Sequence, residues 1–141
     1  MITAIRNFAQ ILTCEPTHTS ASPRTDGEII NAFFTVYNEL GFGLLESAYA
    51  AALERELTSR GLRVSREFMV GVYYKGDRVS WQRLDMVVSE TILVETKSTR
   101  FLPPLTKRQV LSYLTNTTLE VGLILHFGPH AKFYRMISTN K

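Results

Sequence analysis

Three strand-like runs follow one another almost without pause between Phe68 and Lys97, and they constrain this chain more than anything else in it. Phe68 to Tyr74, Arg78 to Val88 and Thr91 to Lys97 are rich in β-branched and aromatic residues, with only Lys75-Gly76-Asp77 and Ser89-Glu90 between them. Links that short suit antiparallel hairpins. The last run ends in Ile92-Leu93-Val94-Glu95-Thr96-Lys97, and Glu95 lies ten residues beyond Asp85 on the run before it. Side chains alternate across a strand, so Glu95 and Lys97 share one face while Thr96 takes the other. A hairpin that returns the preceding strand alongside brings Asp85 to join them. Two carboxylates can then hold a divalent cation while an ammonium faces a phosphate or a water, the equipment of a metal-dependent phosphodiesterase.

The flanking sequence supplies helices. Asp26 is placed to cap a helix from about Gly27 to Leu40, where Ile29, Ile30, Phe33, Phe34, Val36, Tyr37 and Leu40 recur at helical spacing. A second helix is predicted from about Leu45 to Arg60, between Gly41-Phe42-Gly43 and Gly61, with Ala50, Leu53 and Leu57 as its core stripe. Pro103-Pro104 breaks the chain before a third, from about Leu105 to Asn116. Val121 to Phe127 and Lys132 to Ile137 then read as two strands around Gly128-Pro129. The predicted order is α-α-β-β-β-α-β-β, an α/β chain without internal repeats.

At 141 residues the chain is one domain's worth. No apolar run approaches the roughly 20 residues that span a bilayer, so no membrane role is expected. A single cysteine, Cys14, excludes an intramolecular disulfide framework and fits a reducing, cytoplasmic setting. Residues 1–25 show no sustained periodicity and are rich in Ser, Thr and Pro, so they read as a poorly ordered extension ahead of a single domain over 26–141. With Arg6 and Arg24 opposed by Glu15, that extension is too weakly basic for organelle targeting to be the expectation.

The net charge of +3 is a modest help toward a polyanion. Its distribution is more telling, because Lys97, Arg100, Lys107 and Arg108 occur with no acid between Lys97 and Leu119. Each candidate has a bland counterpart. Asp85 pairs as readily with Arg83, two residues away, as with a metal, and Glu95 with Lys97 is also what a surface salt bridge looks like. Glu46 is a carboxylate on an apolar helix stripe, which implies either a bound ligand or a position at the wet end near the helix N-terminus. Gln109 and Tyr113 lie four apart on the third helix, where amides more often face solvent. His126 and His130 are separated by Gly128-Pro129, which forbids the helix that would align them on a metal.

Gly43-Leu44-Leu45-Glu46-Ser47-Ala48-Tyr49 reads Gly-x-x-Glu-x-x-Tyr, and it joins Tyr73-Tyr74-Lys75-Gly76, Arg83-Leu84-Asp85, Glu95-Thr96-Lys97, Gln109 and Val121-Gly122-Leu123 in one ordered series. From about Asp26 to Ile137 the chain resembles the GxxExxY family of the PD-(D/E)XK nuclease superfamily. That resemblance implies a restriction-endonuclease-like core, a mixed central sheet flanked by helices. It implies that Asp85 and Glu95 ligate Mg2+, that Lys97 orients the attacking water or stabilises the phosphate, that Glu46 is an additional acid and that Gln109 stands beside the site. Tyr49, Arg83 and Tyr113 are secondary candidates. Phe42 stands where proline is common in the family and His126 where asparagine is common, both outside the acidic cluster.

The function this implies is a Mg2+-dependent nuclease acting on DNA, with Arg100, Lys107 and Arg108 on the backbone. Oxygen ligands serve Mn2+ as well. The rival reading is a non-catalytic nucleic-acid-binding or partner-binding module of the same fold, working with a partner protein or as a homodimer, since so short a chain has little room for a separate target-recognition domain.

Overall fold

The computed structural model describes residues 9–12 and 23–138. Its elements are β1 (Ala9–Leu12), α1 (Pro23–Leu40), α2 (Glu46–Ser59), β2 (Val64–Tyr74), β3 (Asp77–Val88), β4 (Ile92–Lys97), α3 (Leu105–Thr115), β5 (Val121–Phe127) and β6 (Ala131–Ser138). From α1 onward this is the order predicted from periodicity, with boundaries moved by a few residues. The strands form one sheet in the order β1-β6-β5-β4-β3-β2. β4 and β5 run parallel, because α3 carries the chain back between them, and every other pair is antiparallel.

The two faces of the sheet bury different helices. Met86, Val88, Ile92, Val94, Leu123 and Leu125 pack on α1 and α2 through Ile29, Phe33, Tyr49, Leu53 and Leu57. Leu84, Val87, Leu93, Ile124 and Met136 pack on α3 through Val110, Tyr113 and Leu114. β5 is buried along its whole length, as expected of a central strand covered on both faces. A Cβ on Gly122 would come within 2.7 Å of Val110 Cγ1, so the missing side chain lets α3 lie directly on β5.

Three sequence expectations are corrected. First, a strand, β1, lies inside the segment read as a poorly ordered extension; it is four residues long, too short for periodicity to reveal, and it pairs along the edge of β6. The remainder of that segment, with Cys14, lies outside the described residues. Second, α1 begins at Pro23 rather than Gly27, a start that proline tolerates because its missing N–H would be unsatisfied there anyway. Third, Asp26 therefore sits inside the helix rather than capping it. It is buried against β6, where its Oδ2 accepts from the Arg135 guanidinium. Burial raises the Asp26 pKa, and the charge of Arg135 opposes the rise.

Candidate active site

Asp85, Glu95 and Lys97 meet where β3 and β4 part. The ladder between these strands runs from Val88–Ile92 to Met86–Val94 and stops one residue short of Asp85 and Glu95. Beyond it the Thr96 N–H donates to Asp85 Oδ2 at 3.1 Å and the Thr96 hydroxyl donates to the same oxygen at 2.6 Å. The carboxylate thus replaces a backbone carbonyl of β3 as the acceptor for β4. A carboxylate fixed by two donors has lost its rotational freedom and keeps Oδ1 for another partner.

The expected common face for Arg83, Asp85 and Val87 is not observed. Leu84 belongs to the same core cluster as Val87, an odd spacing that strict alternation forbids. The break falls at Asp85, opposite Glu67, whose φ of 54° marks an irregular β2 backbone. Arg83 consequently pairs with Glu67, at 3.5 Å on the exposed surface, and not with Asp85.

On β4, alternation holds. Lys97 Nζ lies 3.7 Å from Glu95 Oε2, and the Glu95 side chain is 12% exposed. Its pKa is raised from 4.5 to about 7, first by burial and then by the Asp85 carboxylate, with Lys97 pulling it down and Glu46 pushing it up. Glu46 is itself raised by lost hydration, with Lys97 lowering and Asp85 raising it. Three carboxylates and one ammonium therefore feel one another, and one positive charge does not neutralise the group.

Glu46 reaches the cluster as the first residue of α2, where its charge also suits the helix N-terminus. It is solvent-exposed, so it occupies the wet end of the stripe. Tyr49, one turn on, sets that position. It is fully buried, stacked on Phe127 with ring centroids 4.2 Å apart, and its hydroxyl donates to the Gly41 carbonyl while accepting from Leu44 N–H at 3.2 Å. The intervening Gly43 has φ 116°, a conformation side chains resist. Tyr49 thus holds the loop that aims Glu46 and does not itself line the site.

The α3 side of the cluster opens into a cavity of about 490 Å³ between α3 and the β2–β3 hairpin. Lys97, Arg108, Gln109 and Tyr113 line it, together with Gln82, Ser112 and Asn116, which the sequence did not single out. The Tyr113 hydroxyl lies 3.4 Å from Gln82 Oε1, and its pKa is raised by burial and by the charge of Glu95. Lys97 and Tyr113 thus form a wall common to the acids and the cavity.

Other candidates lie apart. Lys107 sits over the Tyr134 ring at 4.3 Å, and Arg100 is exposed on the turn after β4. His126 is a buried strand-end residue whose Nε2–H donates to the Thr99 carbonyl at 2.6 Å, which pins that turn. Several arginines ahead of the site are spent on structure: Arg60 bridges Glu28 and Glu56, Arg63 pairs with Glu90 and Arg66 with Glu54.

A model of the PD-(D/E)XK nuclease superfamily matches residues 24–136. The chain belongs to that superfamily. No curated protein and no solved structure matches it. Membership in the PD-(D/E)XK superfamily agrees with the α/β architecture and points to a nuclease-type function; nucleases of this superfamily generally use a divalent metal. The donors gathered here, carboxylate oxygens only, fit a hard cation. Among the described residues no group of three or more His, Cys, Asp or Glu is placed to hold one ion, so Asp85, Glu95 and Glu46 do not close a three-ligand set by themselves.

Proposed function

We propose that this domain is a Mg2+-dependent nuclease that hydrolyses DNA phosphodiester bonds, with Asp85, Glu95 and Lys97 as its site. The observation that carries the reading is the meeting of acids and an ammonium where β3 and β4 part: Thr96 fixes the Asp85 carboxylate there, and Lys97 Nζ lies 3.7 Å from the nearly buried Glu95 carboxylate. Buried acids crowded by other acids cost stability, and they persist where the charge they gather is used. Within a superfamily of nuclease type, the natural use is a divalent cation and a phosphate.

Asp85 and Glu95 would hold the ion, with Glu46 interacting through water. Bound there, the cation would supply positive charge to the developing phosphate oxyanions and make water easier to deprotonate. The chain's own groups do the rest. Lys97 presents its ammonium between the acids and the cavity, where it can donate to a non-bridging phosphate oxygen. Thr96 holds the Asp85 carboxylate at a fixed angle. Gln109 and Arg108, at the cavity, would meet the nucleotide beside the scissile bond, while Arg100, exposed on the turn after β4, and Lys107, over the Tyr134 ring, would add positive charge farther from it.

The test is cleavage of labelled single-stranded, duplex and branched DNA with Mg2+, Mn2+ or EDTA, by the wild type, Asp85→Ala and Lys97→Ala. Metal-dependent cutting that both variants lose, with folding retained, supports the proposal. Undiminished cutting by Asp85→Ala refutes it. Absence of cutting by the wild type, with salt-sensitive DNA binding intact, favours the non-catalytic module.

A further inference from the structure

We propose that the cavity between α3 and the β2–β3 hairpin binds a single unstacked nucleobase, so that the preferred DNA at this site is single-stranded or locally unpaired. The inference rests on the nuclease reading only for placing a phosphate beside Lys97. At about 490 Å³ the cavity falls in the range of about 300–1,000 Å³ typical of small-ligand sites, the size for a nucleoside rather than for a smooth backbone contact.

Its chemistry matches that ligand. Val70, Val72 and Pro103 give it apolar walls, and Leu105, 70% exposed at the rim, leaves an aliphatic surface in water that a base would cover. Around these walls stand amides with spare hydrogen-bonding capacity. The Gln82 carbonyl oxygen receives the Tyr113 hydroxyl, so its NH2 is left to donate. Asn116 spends its Nδ2 on the Ser112 carbonyl at 2.9 Å, so its Oδ1 is left to accept. Apolar walls with a donor and an acceptor are what the face and the edge of a base require. Among the described residues the charged side chains lining the cavity are Lys97 and Arg108, both cationic, which favours the phosphates flanking the base. In a duplex those faces are stacked and those edges paired, so an intact duplex offers this cavity nothing but its backbone.

The experiment measures binding in EDTA, where cleavage does not interfere. The probes are an end-labelled oligothymidylate, the same strand annealed to its complement, and a strand of equal length with abasic residues. The wild type is expected to bind the base-bearing single strand about tenfold more tightly than either of the others, in line with the worth of one or two stacking contacts. Ser112→Phe, which enlarges an exposed residue to fill the cavity, and Gln82→Leu, which removes its donor, are each expected to reduce that preference without weakening duplex binding. Equal affinity for base-bearing and abasic strands overturns the inference, as does a preference that survives both variants. The two readings fail separately: a base-dependent preference without metal-dependent cleavage sinks the nuclease alone, and cleavage lost in Asp85→Ala without such a preference sinks the base pocket alone.

Discussion

Replacing Glu95 with glutamine is expected to stabilise the metal-free protein, an outcome opposite to that of most buried substitutions. The Glu95 carboxyl titrates at about 7 in the fold against an ordinary 4.5. Between those values the folded state binds the proton more tightly than the unfolded one, so stability is fully present below 4.5 and drains away as pH rises through 7. With about 1.4 kcal/mol for each tenfold difference in proton affinity, the ionised side chain costs the fold about 3 kcal/mol above that range. Glutamine keeps the shape and cannot ionise. In EDTA at pH 8, Glu95→Gln should therefore exceed the wild type by about 2–3 kcal/mol, a shift of about 1–3 M in the urea midpoint. At pH 4.5 the two should coincide. Adding Mg2+ at pH 8 should stabilise the wild type more than the variant, because a bound cation offsets the repulsion that glutamine has already removed. A variant that is less stable at pH 8, or that loses stability with pH in parallel with the wild type, would show that Glu95 is not held under electrostatic stress.

Three other substitutions probe the elements that position the site. Tyr49→Phe keeps the stack on Phe127 and deletes the hydroxyl that joins Gly41 to Leu44, so a loss of about 1–2 kcal/mol in urea unfolding is expected, with weaker Mg2+ binding by titration because Glu46 loses its aim. Gly122→Ala places a Cβ 2.7 Å from a branched, stiff Val110 and should cost about 1–3 kcal/mol in thermal or urea unfolding, with a displaced α3 detectable as altered quenching of Tyr113. Arg108→Ala should weaken DNA binding uniformly across sequences and lower the slope of log affinity against log salt by about 1 when measured by anisotropy.

Much of the fold could be read without coordinates because its local signals agree with its tertiary needs. β5 is found between the residues where its apolar run begins and ends, and the hairpins at Lys75-Gly76-Asp77 and Ser89-Glu90 turn where short polar links demand. Glu95 and Lys97 share a face because a regular strand leaves no alternative. The site was legible to the extent that it lies on such a strand. Asp85 was identified by its spacing from Glu95, but its environment was not: an irregular β2 backbone breaks the alternation of β3 and turns the carboxylate toward Thr96. Gln82, Ser112 and Asn116 carried no signal at all, since nothing local marks a polar residue that happens to border a cavity.

The sequence by itself determined the elements, their order and the acid-lysine face of β4, because strand and helix periods are properties of neighbouring residues. Only the tertiary structure decided that Asp26 is buried against Arg135, that Tyr49 braces the loop ahead of Glu46, and that Glu95 titrates near neutrality. Those outcomes depend on burial and on charges brought together from segments far apart in the chain. Desolvation and Coulomb repulsion act through space, and their size is set by where the folded chain puts its neighbours.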